Sequence, residues 1–167
     1  MSEDITFRPA RKADFAGIDA LLARVYPRLL KADYPPSVLV LALPIIARAR
    51  PELVVSGTYW VAQQGDQIIG AGGWTADAPN DGAQVNRLGH VRHVVCDDRC
   101  LRRGVARGLM ARALDQARAA GVARLDCLST RTAVPFYTAL GFERGAEVEI
   151  SLGPGIGFPA VQMQRSI

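Results

Sequence analysis

The stretch from Val94 to Arg107 holds residue types in an order that suits chemistry. A β-branched run, Val94-Val95-Cys96, leads into the acidic pair Asp97-Asp98. Then Arg102-Arg103-Gly104-Val105-Ala106-Arg107 opens an Ala/Leu/Arg pattern that runs to about Ala120. That order predicts a strand, a tight turn and a helix N-terminus. The first turn of a helix leaves backbone N–H groups without intrahelical partners, and the summed peptide dipole is positive there. Gly104 and Ala106 keep side chains out of the way, so an anion can approach the backbone closely. Phosphate binding is the natural use of such a site.

Neither common phosphate loop is present. No Gly-Lys pair exists for a P-loop, and Gly104-x-x-x-Gly108 is not the Gly-x-Gly-x-x-Gly of a dinucleotide site. The segment instead resembles motif A of the GNAT N-acetyltransferase superfamily, a (Gln/Arg)-x-x-Gly-x-(Gly/Ala) loop that grips the pyrophosphate of acetyl-coenzyme A. Arg102 to Ala106 match its core. Leu101 stands where Gln or Arg is usual and offers a backbone N–H but no side-chain donor.

A second segment, Ala133-Val134-Pro135-Phe136-Tyr137-Thr138-Ala139-Leu140-Gly141-Phe142, resembles motif B of the same superfamily, Asn-x-x-Ala-x-x-Phe-Tyr-x-x-x-Gly-Phe. Ala133, Phe136, Tyr137, Gly141 and Phe142 fall in register, and Thr130 replaces the usual Asn. The resemblance implies that Tyr137 protonates the departing thiolate. It also implies that Val94, Val95 and Cys96 present a backbone N–H to the thioester carbonyl, and that Leu101 to Arg107, Thr130 and Phe136 bind the coenzyme.

His90 lies fourteen residues before Gly104, where some members of the superfamily place a general base. Its intrinsic pKa near 6.5 suits removal of a proton from an attacking amine. Strand alternation puts His90, Arg92 and Val94 on one face and Val91, His93 and Val95 on the other; a bulge, frequent in this strand of the family, would invert that partway. Tyr26, Tyr34, Trp74 and Arg92 are candidate acceptor contacts, each with a plainer reading as a core or ion-paired residue. Cys96 and Cys127 lie near the predicted gap, and neither has a charged partner in the sequence, so they read as small apolar residues rather than acyl carriers.

The elements that must position these groups follow from periodicity and turn residues. Ile5–Arg8 reads as a strand. Asp14 opens a helix through Ile18, Leu21, Leu22 and Val25, with a break at Tyr26-Pro27. Pro35-Pro36-Ser37 starts a second helix, with Val38, Leu41, Leu43 and Ile45 apolar, and Pro51 ends that region. Thr58–Gln63 and Gln67–Trp74 form a hairpin, and Thr75–Ala83 is a loop. Val85–Cys96 is a strand, Gly104–Ala120 a helix, Arg124–Leu128 a strand and Thr132–Leu140 a helix. Phe142–Leu152 is a strand, Gly153–Gly157 a flexible loop and Val161–Arg165 a final strand. The order predicts an α/β fold of mixed type, with about six to seven strands flanked by about four helices. The resemblance adds that the two central parallel strands splay apart to admit the pantetheine arm.

The chain has 167 residues, enough for one domain with its own core. No apolar run reaches the roughly 20 residues of a membrane span, and the first residues are not those of a signal peptide. Cys96, Cys100 and Cys127 form no Cys-x-x-Cys pair and, with only His90 and His93, suggest no metal site. Free cysteines point to the cytoplasm. The net charge of +4 rests almost wholly on arginine. An Arg-rich nucleic-acid binder would need a recognition helix or RNA motif, and none is seen. The sequence therefore points to an acetyl-CoA-dependent N-acetyltransferase acting on a small-molecule or peptide amine. The alternative is a non-catalytic acyl-CoA-binding module. A homodimer is a family-level expectation only.

Overall fold

In the computed structural model, residues 4–167 are described. Seven strands form one sheet in the order β1-β2-β3-β4-β5-β7-β6. They are β1 (Ile5–Pro9), β2 (Tyr59–Gln64), β3 (Gln67–Thr75), β4 (Leu88–Cys96), β5 (Arg124–Ser129), β6 (Glu143–Gly153) and β7 (Ile156–Ser166). Every pairing is antiparallel except β4 with β5. Five helices complete the fold: α1 (Phe15–Leu30), α2 (Pro36–Ile46), the single turn α3 (Pro51–Val54), α4 (Val105–Ala119) and α5 (Val134–Ala139). This is the mixed architecture expected.

Two apolar clusters hold the layers. On one face, Ile18, Leu21, Leu22 and Val25 of α1 and Leu39 and Ala42 of α2 pack on Tyr59, Val61, Ala71 and Val95. On the other, Met110, Ala113, Leu114 and Ala117 of α4 join Tyr137, Phe142, Leu125 and Val161. Glycines seat α4 tightly. A Cβ at Gly70 would lie 2.6 Å from the Val105 side chain, and one at Gly108 would run into the Phe7 ring. The first turn of α4 is thus fixed against β3.

Several expectations shift. The first helix does not break at Tyr26-Pro27 but continues to Leu30. Pro27 removes one backbone hydrogen bond, yet buried Tyr26 and Leu30 keep the helix on the sheet. In α2 the buried residues are Leu39 and Ala42, while Leu41 is half exposed. Pro51 begins a helical turn rather than ending a region. Residues Gly153 to Gly157 are no open loop. β6 runs to Gly153 and β7 starts at Ile156, so Pro154-Gly155 is a two-residue turn and the last strand is longer than predicted. The strand predicted from Val85 starts at Leu88.

Candidate active site

The site is built around a defect in β4. His93 has φ 47°, in the left-handed region, and the β3–β4 register shifts between Ala71 and Gly73. This bulge inverts the faces. Val91 and Val95 are four residues apart and would share a face in a regular strand. Here Val91 packs with the α4–α5 cluster and Val95 with the α1–α2 cluster. Tyr59 Oη donates to the His93 carbonyl at 2.6 Å, and His93 Nε2 meets the Ile46 carbonyl at 2.9 Å. Burial pushes the His93 ring down to about 4. It is therefore neutral and structural, pinning the end of α2 to the bulge.

A stability consequence follows. The folded state keeps His93 neutral down to about pH 4, whereas the unfolded chain protonates it near 6.5. The stabilisation is complete above pH 6.5 and declines as pH falls from 6.5 toward 4, by about 3 kcal/mol at most. His93→Asn, which tolerates the left-handed backbone, is expected to flatten that limb in urea unfolding measured across pH 4–7. An unchanged slope would assign the limb to other groups.

Beyond the bulge the central strands part. β4 and β5 pair only from Leu88↔Arg124 to His90↔Asp126. From Cys127 to Ser129, β5 pairs with β7 alone. The gap is a cleft of about 540 Å³ whose walls come from both faces of the sheet. Tyr26 and Ile46 close one side; Ala106, Phe136 and Tyr137 close the other; Arg92 to Cys96 run along its edge.

The loop at its mouth is braced from beneath. Asp97, 2% exposed, caps the turn by accepting from Arg99 N–H and takes Arg24 at 2.6 Å and Arg99 at 3.1 Å. The guanidinium partners hold its carboxyl well below the usual range, against the cost of burial. Asp98 takes Arg24 and Arg28 of α1. Arg99 is thus committed to the brace. Arg102 has φ 62° and Gly104 φ 77°. Two left-handed residues fold the chain back so that α4 starts at the loop. Gly108 N–H is bonded to Gly104 O at 2.8 Å, and the amides ahead of it belong to the open first turn. A Cβ at Gly104 would meet nothing within 4 Å, so the space over the loop is free.

Tyr137 sits at the far end of the cleft, 5% exposed, between the rings of Phe136 and Phe142. Its hydroxyl lies near the buried Cys127 thiol of β5. Burial raises its pKa well above 10, so the phenol stays protonated. Thr130 caps the turn into α5, its Oγ1 accepting from Ala133 N–H at 3.2 Å, as the usual Asn would.

The sequence model of the acetyltransferase (GNAT) domain matches residues 45–165. The chain belongs to the GNAT acetyltransferase family. It is accordingly an acyltransferase, with acetyl-coenzyme A as co-substrate. Solved structures share the fold at low identity. A GCN5-related N-acetyltransferase from Rhodopseudomonas palustris superposes with TM-score 0.80 at 17% identity, over 100% of this chain and 98% of its own. The PaiA N-acetyltransferase of Thermoplasma acidophilum, in complex with coenzyme A, gives 0.74 at 10%, over 98% and 99%. N-acetylglutamate synthase from Neisseria gonorrhoeae, complexed with coenzyme A and N-acetyl-glutamate, gives 0.64 at 17%, over 99% of this chain and 36% of that one. No curated protein matches the chain significantly in sequence.

Against the GNAT frame, most of the residues singled out from sequence come together. Val94, Val95, Cys96, Leu101, Ala106, Thr130, Phe136 and Tyr137 line the gap, as do Tyr26 and Arg92. Arg102, Arg103, Gly104 and Arg107 are exposed at its mouth, and Val105 is buried beneath it. Arg103 reaches back to Gln64 at 3.3 Å. Two expected acceptor contacts are instead structural. Tyr34 lies outside the cleft. Its hydroxyl donates to the Pro159 carbonyl at 2.7 Å and accepts from Arg131 N–H at 2.8 Å, and its ring stacks on Phe158. Trp74 is in the core, its Nε1 donating to Gln116 at 3.2 Å. His90 faces a neighbouring cleft of about 750 Å³, which also holds Asp126. Asp126 escaped notice in the sequence because only the β4–β5 register brings it beside His90. Among the described residues, no cluster could hold a metal ion and no helix is long and apolar enough to cross a membrane.

Proposed function

We propose that this chain transfers an acetyl group from acetyl-CoA to a primary amine by direct attack, with residues 1–167 acting as one domain. The observation that carries this is the buried, protonated Tyr137 hydroxyl on the wall of the gap between β4 and β5. The loop fits the coenzyme: the space over Gly104 is open, and Arg102, Arg103 and Arg107 stand exposed around it. Amides from Arg102 to Ala106 would hold the diphosphate at the positive end of α4. Thr130 and Phe136 would flank the arm. Acetyl-CoA supplies an activated acyl group as its thioester.

The chain's own groups do the rest. Backbone N–H groups along Val94–Cys96, on the strand edge that β5 has left, stabilise negative charge on the carbonyl oxygen. Arg92 and Tyr26 border the space the acceptor must enter. His90, kept neutral because burial lowers its pKa, takes the amine proton directly or through water. Nitrogen bonds to the acyl carbon as the carbon–sulfur bond breaks, and Tyr137 Oη gives its proton to sulfur. Solvent restores both groups. Holding the reactants in line contributes much of the acceleration. The three free cysteines favour a cytoplasmic setting.

Thiol release over an amine panel, beside calorimetry with acetyl-CoA, tests this reading. Binding without turnover of any amine would make the chain a binding module instead. His90→Gln is expected to remove the acidic limb of log kcat/KM against pH, which in the parent falls below pH 6.5. Its kcat should drop about tenfold, less than the ~100-fold usual for a lost base, because water can replace the ring. An unaltered limb would move the base role elsewhere.

A further inference from the structure

The walls of the 540 Å³ gap carry two positive charges and no negative one. Among the described residues that line it, Arg50 and Arg92 are the charged side chains, with no aspartate or glutamate beside them. Elsewhere the chain pairs its arginines: Arg8 with Asp14, Arg24 with Asp97 and Asp98, Arg131 with Glu147. Arg50 and Arg92 form no ion pair among the described residues. A partly desolvated charge is normally paired.

The two arginines are brought together by the bulge. The bond of His93 Nε2 with the Ile46 carbonyl ties the residue after Arg92 to the end of α2, four residues before Arg50. Arg50 is exposed at the N-cap of α3. Arg92 is half-buried on β4, and its pKa is lowered, first by burial and then by the charge of Arg50. Glu52 and Asp77 act the other way, but both are exposed and neither lines the gap. Arg92 Nη1 donates to Thr75 Oγ1 at 3.0 Å, and that hydroxyl donates to the Asp77 carbonyl at 2.8 Å, so the side chain is held from one edge. The rest of its planar fork meets no acceptor among the described residues.

The position of the pair decides which ligand it meets. β4 runs toward the phosphate loop, and Arg92 lies four residues short of its end at Cys96. Arg102, Arg103 and Arg107 already stand at the loop for the coenzyme. Arg50 and Arg92 face the part of the gap left to the acceptor, beside the apolar wall of Tyr26, Leu29, Ile45 and Ile46.

We infer that the acceptor is an amine that carries a carboxylate, held at its acid end by Arg92 and Arg50 with its carbon chain against α1 and α2. The inference rests on the acetyltransferase reading and names its substrate class. The guanidinium fork matches a carboxylate through parallel, charge-assisted hydrogen bonds. Two cations also disfavour a third beside them, so the bound amine gives up its proton more readily. A plain amine makes no such contact and enters as a cation facing two others.

Calorimetry on the full chain saturated with coenzyme A provides a test that needs no turnover. Two matched pairs are titrated, L-leucine against 3-methylbutylamine and 6-aminohexanoate against n-pentylamine. Within each pair the probes differ by a carboxylate alone. In the better-fitting pair the acid is expected to bind about tenfold or more tightly than its amine. Arg92→Gln should remove most of that advantage without weakening the amine, a split that mere damage to the fold would not give. Arg50→Gln, at an exposed side chain, should remove part of it and keeps the test open where Arg92→Gln fails to fold. No preference in either pair, no binding of any probe, or a preference that both variants leave intact overturns the inference. Thiol release from acetyl-CoA with the same probes separates the two claims. A preferred acid that binds and releases no thiol would sink the catalytic reading and leave the carboxylate recognition standing. Turnover favouring the plain amines would do the reverse.

Discussion

Tyr137→Phe is expected to lower kcat about 100-fold while leaving acetyl-CoA affinity within about twofold. The reason lies in what burial does to both partners of the proton transfer. In water a thiolate with pKa near 8.5 is a weak match for a phenol near 10. Burial raises both kinds of group, the Cys127 thiol to about 12 and the Tyr137 phenol well above 10. The phenol therefore keeps its proton until charge collects on a sulfur placed beside it, and position rather than a pKa match carries the transfer. Removing the hydroxyl withdraws the donor only at the moment sulfur departs. It leaves the ring between Phe136 and Phe142, so the fold and the loop are untouched. The measurement is steady-state thiol release with calorimetry of acetyl-CoA. Undiminished kcat would remove Tyr137 from the mechanism, and lost affinity with unchanged kcat would make it a binding group.

Gly104→Glu is expected to weaken acetyl-CoA binding by about 100-fold or more. Three effects act together. Position 104 has φ 77°, and a side chain in that region costs about 1–2 kcal/mol. The side chain enters the open space over the loop rather than the core, since nothing lies within 4 Å of the Cβ site. It also brings a negative charge to the positive end of α4, where the diphosphate is proposed to sit. Gly104→Asn serves as the companion variant. Asparagine tolerates left-handed backbone and carries no charge, so it should retain affinity within about tenfold of the parent. Equal losses in both variants would point to backbone strain alone. Unchanged binding in Gly104→Glu would place the phosphates elsewhere.

Much of this was legible in the sequence because it depends on local rules. The Arg102–Arg107 pattern, the Tyr137 helix closed by Gly141, and the strand-helix order each follow from periodicity, turn residues and motif spacing. The bulge in β4 was foreseen as an inversion of faces, and the opposite packing of Val91 and Val95 bears that out. What the sequence hid depends on partners far along the chain. Pro27 reads as a helix breaker, but tertiary burial of Tyr26 and Leu30 overrides the lost hydrogen bond. Tyr34 and Trp74 look like free aromatic walls until Pro159, Arg131 and Gln116 take their polar atoms. Arg99 belongs by type to the phosphate cluster, but buried Asp97 claims it. Asp126 gains meaning only through its register with His90.

The most direct test is a crystal structure of the chain with coenzyme A. The account predicts the diphosphate on the amides of Arg102 to Ala106, the arm between β4 and β5, and sulfur within about 3.5 Å of Tyr137 Oη. A diphosphate bound away from that loop, or a sulfur that Tyr137 does not reach, would contradict it.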